Sequence, residues 1–198
     1  LFIVHRNPFA AGAGGTEYFV SDLVKALRLP RSLIAYTEDA SVFVEEILGG
    51  DVDRSLRHKF DIAKPVRDCE TVQQEVSETL AKIIVDFAVG FVHIHHLFNW
   101  PVNVWRILKE KKIPFLFTLH DFMCVCPNLN LLDYRKGKPC ACELRREQVS
   151  ECLEACRELG RRSFTETSLE FLEAWRTEFG EMLEAACAVC APSKRALD

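Results

Sequence analysis

Residues 91–127, FVHIHHLFNWPVNVWRILKEKKIPFLFTLHDFMCVCP, constrain the fold more than any other stretch of the chain. Two short apolar runs, at 91–97 and 114–119, flank a segment with apolar residues at helical spacing, 101–112. The pattern predicts a strand, a helical crossover and a second parallel strand, because parallel neighbours need such a connection. Both strands would then end at the same edge of the sheet.

Polar side chains gather where these two predicted strands end. His95 and His96 lie near the end of the first strand, and His120 and Asp121 lie at the end of the second. Ligands bind at the carboxyl edge of open α/β sheets, so we expect a functional site there. Strand alternation puts His93 and His95 on one face and His96 on the other. His93 is typical of a core imidazole hydrogen-bonded to the backbone, whereas His120 is a candidate functional residue.

Length and composition fit one globular domain. The chain has 198 residues, of which 48% are hydrophobic and 27% charged, with a net charge of −4. No clustered positive charge indicates a nucleic-acid partner, and no apolar run is long enough for a transmembrane helix. We find no signal peptide, and the first residue is not methionine, so we expect a trimmed chain from a cytoplasmic protein.

A glycine-rich loop follows the first predicted strand. Residues 1–4 form an apolar run, HRNPFAAGAGGT follows, and an amphipathic helix is predicted at 17–28 with Thr16 as its N-cap. Gly14 and Gly15 would let an anion such as a diphosphate approach the helix N-terminus. The loop matches neither the GxGxxG fingerprint nor a P-loop, and an ordinary tight turn explains it equally well.

The remaining pattern completes a Rossmann-like domain. It predicts a mostly parallel, doubly wound α/β sheet of about five or six strands, with helices on both faces, in one domain of residues 1–198. The rim of the sheet would combine the Gly14–Gly15 loop, the histidine-bearing strand ends and Ser193. The closing strand carries Cys187 and Cys190, which we expect in the core. Further strands are predicted at 32–36, 59–63 and 186–190, and helices at 43–48, 70–85 and 167–185.

Six of the nine cysteines fall within residues 124–156, a segment with few apolar residues. Such a segment often needs a cross-link, and four thiolates around zinc would supply one. A reducing compartment favours metal or free thiols over disulfides. The preferred ligands are Cys126, Cys140, Cys152 and Cys156, the last two being one helical turn apart. The two C-x-C pairs are a competing ligand set, and free thiols are the other alternative.

Several motifs, taken in order, resemble one enzyme family. They are the GGTE loop, FVHIHHL, TLHDF followed by CP and NLLD, and the closing AVCAPS. Together they resemble the N-terminal domain of retaining glycosyltransferases of family four, which have the GT-B fold. The likeness spans nearly the whole chain. It implies an enzyme that moves a sugar from a nucleotide-sugar donor to a glycan or lipid-linked acceptor, as in cell-envelope polysaccharide synthesis.

The resemblance also implies roles for particular residues. Gly14 and Gly15 would lie against the donor diphosphate and the transferred sugar, and His120 would lie beside that sugar at the reaction centre. Ser193 would mark the crossing to a second domain on the donor side. The candidates for acceptor contacts are Glu17, His95, His96, Asn99 and Asp121.

The chain also departs from this family. Family members bind most of the nucleotide in a C-terminal Rossmann-like domain that these residues do not include. We therefore expect this acceptor-side half to bind donor weakly by itself and to have that C-terminal domain as its partner. A lipid-linked acceptor would also be compatible with peripheral membrane contact. The cysteine-rich insertion, at about residues 124–156, resembles one found in only a subset of the family.

Two other functional classes compete with this interpretation. His93, His95, His120 and Asp121 could hold the metal of a hydrolase, although further acidic ligands are not visible at other strand ends. A non-enzymatic α/β binding module stapled by zinc is the other alternative.

Overall fold

The computed structural model describes residues 1–10, 12–66, 72–140, 146–159, 164 and 166–191. Its helices are α1 (Gly15–Leu27), α2 (Gln74–Asp86), α3 (Trp105–Glu110), α4 (Val149–Glu158) and α5 (Leu169–Ala185). The strands are β1 (Phe2–Ile3), β2 (Arg31–Glu38), β3 (Ser41–Leu48), β4 (Leu56–Asp61), β5 (Val92–Ile94), β6 (Phe115–Thr118), β7 (Leu132–Asp133), β8 (Lys138–Pro139) and β9 (Ala188–Cys190).

Seven of these strands form one sheet in the order β4-β3-β2-β1-β5-β6-β9. β1 pairs in parallel with β2 and β5, and parallel pairing continues from β5 to β6 and from β6 to β9. β2, β3 and β4 pair antiparallel at one side. The predicted α/β class with a mostly parallel sheet is confirmed. The carboxyl ends of β1, β5 and β6 therefore lie side by side.

Helices cover both faces of this sheet, as predicted. α1 packs Val20 and Val24 against Ile34 and Ile47 in the smaller core cluster. The larger cluster lies on the opposite face and contains residues of α2, α3, α4 and α5. Its fully buried side chains include Trp100, Trp105 and Trp175.

The predicted helix at residues 43–48 is wrong, because Ser41–Leu48 is strand β3. Val42 and Val44 point into the larger core cluster, while Ile47 packs in the smaller one. Two adjacent glutamates obscured this alternation in the sequence. Glu45 is nonetheless buried, since its carboxylate accepts hydrogen bonds from Tyr36, Ser55 and Arg57.

Most other predicted elements are present, with shifted ends. The crossover between β5 and β6 begins as a 3₁₀ turn at Val102–Val104 before α3. Thr16 is not an N-cap, because α1 begins at Gly15 and is capped by Gly14. Strand β7 pairs with β8 in a short hairpin that the sequence patterns did not predict. Cys187 and Cys190 are exposed, which contradicts the predicted core placement.

Helix α5 holds the loop that follows β6. The indole Nε1 of Trp175 donates a 2.7 Å hydrogen bond to the carbonyl of Met123. Beside it, the Arg176 Nε donates to the carbonyl of Val125 at 2.8 Å. Trp175 is completely buried and also packs against Phe171 and Phe179. The loop after His120 is therefore fixed both by hydrogen bonds and by the aromatic core.

We predict that Trp175→Ala lowers the free energy of unfolding by about 3–5 kcal/mol, the usual cost of a large cavity in a core. Trp175→Phe should cost less, because the ring remains while the Met123 carbonyl loses its donor. Urea unfolding followed by far-ultraviolet circular dichroism measures both. Val85→Ala on exposed α2 surface is the control and should change stability by no more than about 0.5 kcal/mol. Equal stability of Trp175→Ala and wild type would contradict the assigned role.

Candidate active site at the carboxyl edge of the sheet

The glycine turn before α1 is held by the buried carboxylate of Glu17. Its Oε2 accepts the Gly14 N–H at 2.7 Å, and Oε1 lies 2.9 Å from His5 Nε2. The Arg6 guanidinium reaches the same carboxylate, at 3.3 Å from Oε1. A side chain on Gly14 would meet this group, since an added Cβ would lie 2.9 Å from Glu17 Oε2. Gly15, in contrast, is exposed, with nothing within 4 Å of an added Cβ.

His95 and His120 meet across neighbouring strand ends. The Nδ1 of His95 lies 3.1 Å from Nε2 of His120, and His95 is almost completely buried. The His95 backbone N–H is anchored to the carbonyl of Ile3 at 2.9 Å. Among the described residues, Nε2 of His95 has no hydrogen-bond partner. We therefore assign the proton of neutral His95 to Nδ1, which donates to His120 and leaves the His120 proton on its own Nδ1.

His96 points the other way and pairs with Asp121. Its Nδ1 accepts the backbone N–H of Phe98 at 3.0 Å, so its proton is on Nε2. That Nε2–H donates to Asp121 Oδ2 at 2.6 Å. The second oxygen, Oδ1, accepts the Met123 N–H at 2.8 Å. Asp121 thus orients His96 and also shapes the turn after His120.

The glycine turn and the histidines belong to one rim. Phe19, in the second turn of α1, packs on both His120 and His95, with ring centroids 5.3 and 5.7 Å apart. The His5 ring, at the start of the glycine loop, lies 4.6 Å from the His96 ring. Segments far apart in sequence therefore surround one position at the carboxyl edge, as the parallel pairing requires.

Most imidazoles of this cluster are neutral at neutral pH. Burial lowers the pKa of His5 and of His93 to about 4, aided by neighbouring imidazoles. Burial, with His93 and His120 nearby, lowers the pKa of His95 to about 2. The pKa of His120 is also lowered, by burial and then by His96. His120 is therefore suited to hydrogen bonding rather than to carrying a positive charge.

The two carboxylates of the rim are ionised. Burial alone would raise the pKa of Asp121, but hydrogen bonds from His96 and from the Met123 N–H outweigh burial and lower it. Burial opposes ionisation of Glu17 as well, and His5, Arg6 and the Gly14 N–H reverse the effect on its pKa. The rim therefore has two fixed negative charges beside neutral imidazoles and Arg6.

The structure describes the predicted residues Asn99, Glu17 and His93, but not Ser193. Asn99 has a positive φ of 63° and donates from Nδ2 to the His5 carbonyl at 3.4 Å, so it lies at the rim. Glu17 is buried and occupied in shaping the glycine turn; a contact between Glu17 and an acceptor stays a prediction. His93 and His95 lie on the same face of their strand, as predicted, with ring centroids 3.7 Å apart. His93 hydrogen-bonds the Thr118 hydroxyl rather than the backbone. Ser193 lies outside the described residues.

Sequence reasoning missed three members of this rim. His5 lies two residues after the end of β1, and its position just beyond a parallel strand end was the available signal. Arg6 gave no pattern of its own. Phe19 has the spacing of the apolar face of α1, but it is about half exposed, at 46%. Its partners, His95 and His120, lie just after β5 and β6, so only the fold reveals its place.

The predicted cysteine ligands also come together. The thiols of Cys140 and Cys152 lie 3.3 Å apart, and Cys152 is hydrogen-bonded to Cys156 one turn further along α4. Cys142, which belongs to the second C-x-C pair of the competing ligand set, lies outside the described residues, and so does Cys69. Within the described part of the chain, no group of three or more Cys, His, Asp or Glu side chains is arranged to hold a metal ion. None of the helices described there could span a membrane.

We predict that the protein loses stability as the pH falls below about 6.5, because the unfolded chain then binds protons that the folded histidines do not. The folded pKa values of His5, His93 and His95 lie below the unfolded value, so their contribution is complete above about pH 6.5 and declines below it. His95→Gln should flatten the slope by up to about 1.4 kcal/mol per pH unit. Urea unfolding at several pH values between 5 and 8 measures the slope.

The control for this prediction is Val76→Ala, which removes apolar packing from the buried face of α2 without removing a titratable group. It should lower stability at every pH and leave the slope unchanged. The same slope in His95→Gln and wild type would show that His95 titrates normally.

Comparison with known proteins identifies no relative of this chain. No protein-family model matches it, and neither a curated protein nor a solved structure does. The chemistry of the rim is therefore the basis for assigning a function.

Proposed function

We propose that this chain is the acceptor-side, N-terminal half of a retaining GT-B glycosyltransferase. The enzyme would transfer a sugar from a nucleotide-sugar donor to a glycan or lipid-linked acceptor, with a C-terminal domain of the same protein binding most of the nucleotide. The main support is the meeting of the glycine turn of α1 with His95 and His120, through Phe19, at the carboxyl edge of the sheet.

The glycine turn suits the leaving diphosphate. α1 has 13 residues, and its first backbone N–H groups carry partial positive charge. Gly15 is exposed at this terminus, so a phosphate oxygen can approach the backbone without meeting a side chain. Such fixed dipoles can stabilise the charge that develops on a leaving diphosphate without a metal ion. Ser193, a further donor-side candidate of the proposal, lies outside the described residues.

His120 suits the sugar at the reaction centre. Its Nε2 accepts from His95 in our assignment, so the Nδ1–H remains to donate to a sugar hydroxyl. Being neutral, it would position the sugar without repelling an oxocarbenium-like centre. Retention of configuration needs no general base, so the proposed role of His120 is positioning at the reaction centre.

The rest of the rim suits an acceptor. Asp121 keeps a partly exposed carboxylate that can accept hydrogen bonds from acceptor hydroxyls, with His96 behind it. Tyr18, Phe19 and Phe122 are exposed aromatic side chains on the segments that form the rim. Aromatic rings of this kind offer flat apolar surface to a sugar ring or a lipid. Asn99 and His95 complete the proposed acceptor surface.

The hydrolase alternative finds less support in this geometry. His95 faces His120, His96 faces Asp121, and His93 bonds Thr118, so their ring nitrogens pair with one another rather than converge. A catalytic metal needs at least three protein ligands directed at one point. The non-enzymatic binding module predicts no sugar transfer at all, which the assay below distinguishes.

We predict that Gly15→Ala reduces sugar transfer about tenfold or more while leaving the melting temperature unchanged or slightly higher. The added methyl meets no protein atom within 4 Å but occupies the approach to the helix N-terminus. The assay is release of nucleoside diphosphate from a panel of UDP-, GDP-, ADP- and dTDP-sugars. It uses the protein expressed from its full natural gene with acceptor extract.

Gly14→Ala is the matched comparison, because its methyl would collide with Glu17 and Arg6 inside the protein. It should lower the melting temperature together with activity. Full activity in Gly15→Ala would exclude a donor at this turn. Absence of transfer by the wild type across the whole panel would overturn the proposed function.

We predict that His120→Ala lowers kcat about tenfold or more, which corresponds to about 1.4 kcal/mol in the activation barrier. The fold should persist, since the His120 side chain is only half-buried. His58→Ala provides the control, because His58 lies on edge strand β4 and contacts Glu46 and Phe87 instead of the rim. Wild-type turnover in His120→Ala would remove this residue from the reaction centre.

A further inference from the structure

A cluster of four thiols lies outside the rim and has no part in the proposed transfer reaction. Cys152 is its centre, with Cys140 at 3.3 Å and a hydrogen bond to Cys156. Cys126 is a near neighbour of Cys140 and Cys152. The four residues come from the loop after β6, the end of β8 and two turns of α4, which the fold brings together.

The surroundings of these thiols resemble a site for thiolates. Cys126, Cys152 and Cys156 are buried, and Cys140 is partly exposed at one side. The backbone N–H of Asn128 donates to the thiol of Cys126, an interaction that favours the thiolate and is common in the outer shell of metal sites.

We propose that Cys126, Cys140, Cys152 and Cys156 bind one zinc ion in a closed, tetrahedral structural site. Four sulfur ligands without an open position are typical of structural rather than catalytic zinc. Zinc would displace the four thiol protons into solvent, and its binding would add folding free energy to a segment with few apolar residues. The proposal does not depend on the glycosyltransferase assignment.

The Cys140 and Cys152 sulfurs lie closer together than two sulfurs that bind the same zinc ion. Hydrogen-bonded thiols attract one another, which brings Cys140 and Cys152 to 3.3 Å. A tetrahedral site with zinc–sulfur bonds of about 2.3 Å separates its sulfurs by about 3.8 Å. The cluster would need to expand by only about 0.5 Å at this pair to admit the ion.

Zinc would connect the candidate active site to α4. Cys126 belongs to the loop that begins with His120 and Asp121, and its N–H bonds the carbonyl of Phe122. Cys152 and Cys156 belong to α4, which packs Val149 and Leu153 into the larger core cluster. One ion would therefore hold the loop in addition to Trp175 and Arg176 of α5.

The test is the zinc content of the protein, expressed from its natural gene and purified under reducing conditions. We expect about one zinc per chain by elemental mass spectrometry. Replacement of zinc by Co²⁺ should give the intense visible bands and sulfur-to-cobalt charge transfer of a tetrahedral thiolate site. The cobalt titration of wild-type protein gives an answer even where a cysteine variant fails to fold.

Cys152→Ser and Cys156→Ser should reduce bound zinc at least about tenfold, and Cys190→Ser, on the exposed strand β9, should retain it. Less than about a tenth of an ion per wild-type chain after zinc addition and dialysis would overturn the proposal. So would a Cys140–Cys152 disulfide found by mass spectrometry in freshly isolated protein. That bond would require an oxidant such as a disulfide or peroxide to accept two electrons, and it would leave Cys126 and Cys156 without a cation.

Discussion

The contact between His95 and His120 is the interaction on which the candidate site depends. It joins residues at the ends of two parallel strands. His95 is held beside β1 because its backbone N–H donates to the carbonyl of Ile3. His95 is buried, and among the described residues His120 is the hydrogen-bond partner of its ring, so we assign the proton of both rings from this contact. The buried imidazole of His95 thus leaves Nδ1 of the half-exposed His120 as its hydrogen-bond donor in this assignment.

The loop after His120 is held in place by hydrogen bonds from several parts of the chain. Asp121 accepts the Met123 N–H, and Trp175 and Arg176 of α5 hold the carbonyls of Met123 and Val125. The proposed zinc would add a fourth support through Cys126. A positioning residue needs such rigidity, since misplacement of a reacting group by about 1 Å can cost a hundredfold in rate. The cysteine segment and the candidate active site are in this sense one structural unit.

Sequence patterns predicted the parts of this fold whose signals are local. The crossover between β5 and β6, the helices α1, α2 and α5 and the convergence of His95, His120 and Asp121 all followed from periodicity and from the geometry of parallel sheets. The failures occurred where long-range contacts overrode local pattern. β3 contains Glu45, which can be buried because Tyr36 and Arg57, from the two neighbouring strands, hydrogen-bond its carboxylate. Phe19 packs on two histidines of the rim rather than in the core beneath α1.

The sequence by itself determined the fold class and predicted His95, His96, His120 and Asp121 at the carboxyl edge, because alternation and helical spacing indicate where parallel strands end. Only the tertiary structure decided which of them touch. Whether His95 bonds His120 or His96 bonds Asp121 depends on strand order and register, and these are set by pairing between residues up to about 90 positions apart, such as Phe2 and His93. Protonation depends on the same contacts, since desolvation and neighbouring charge are properties of the folded protein.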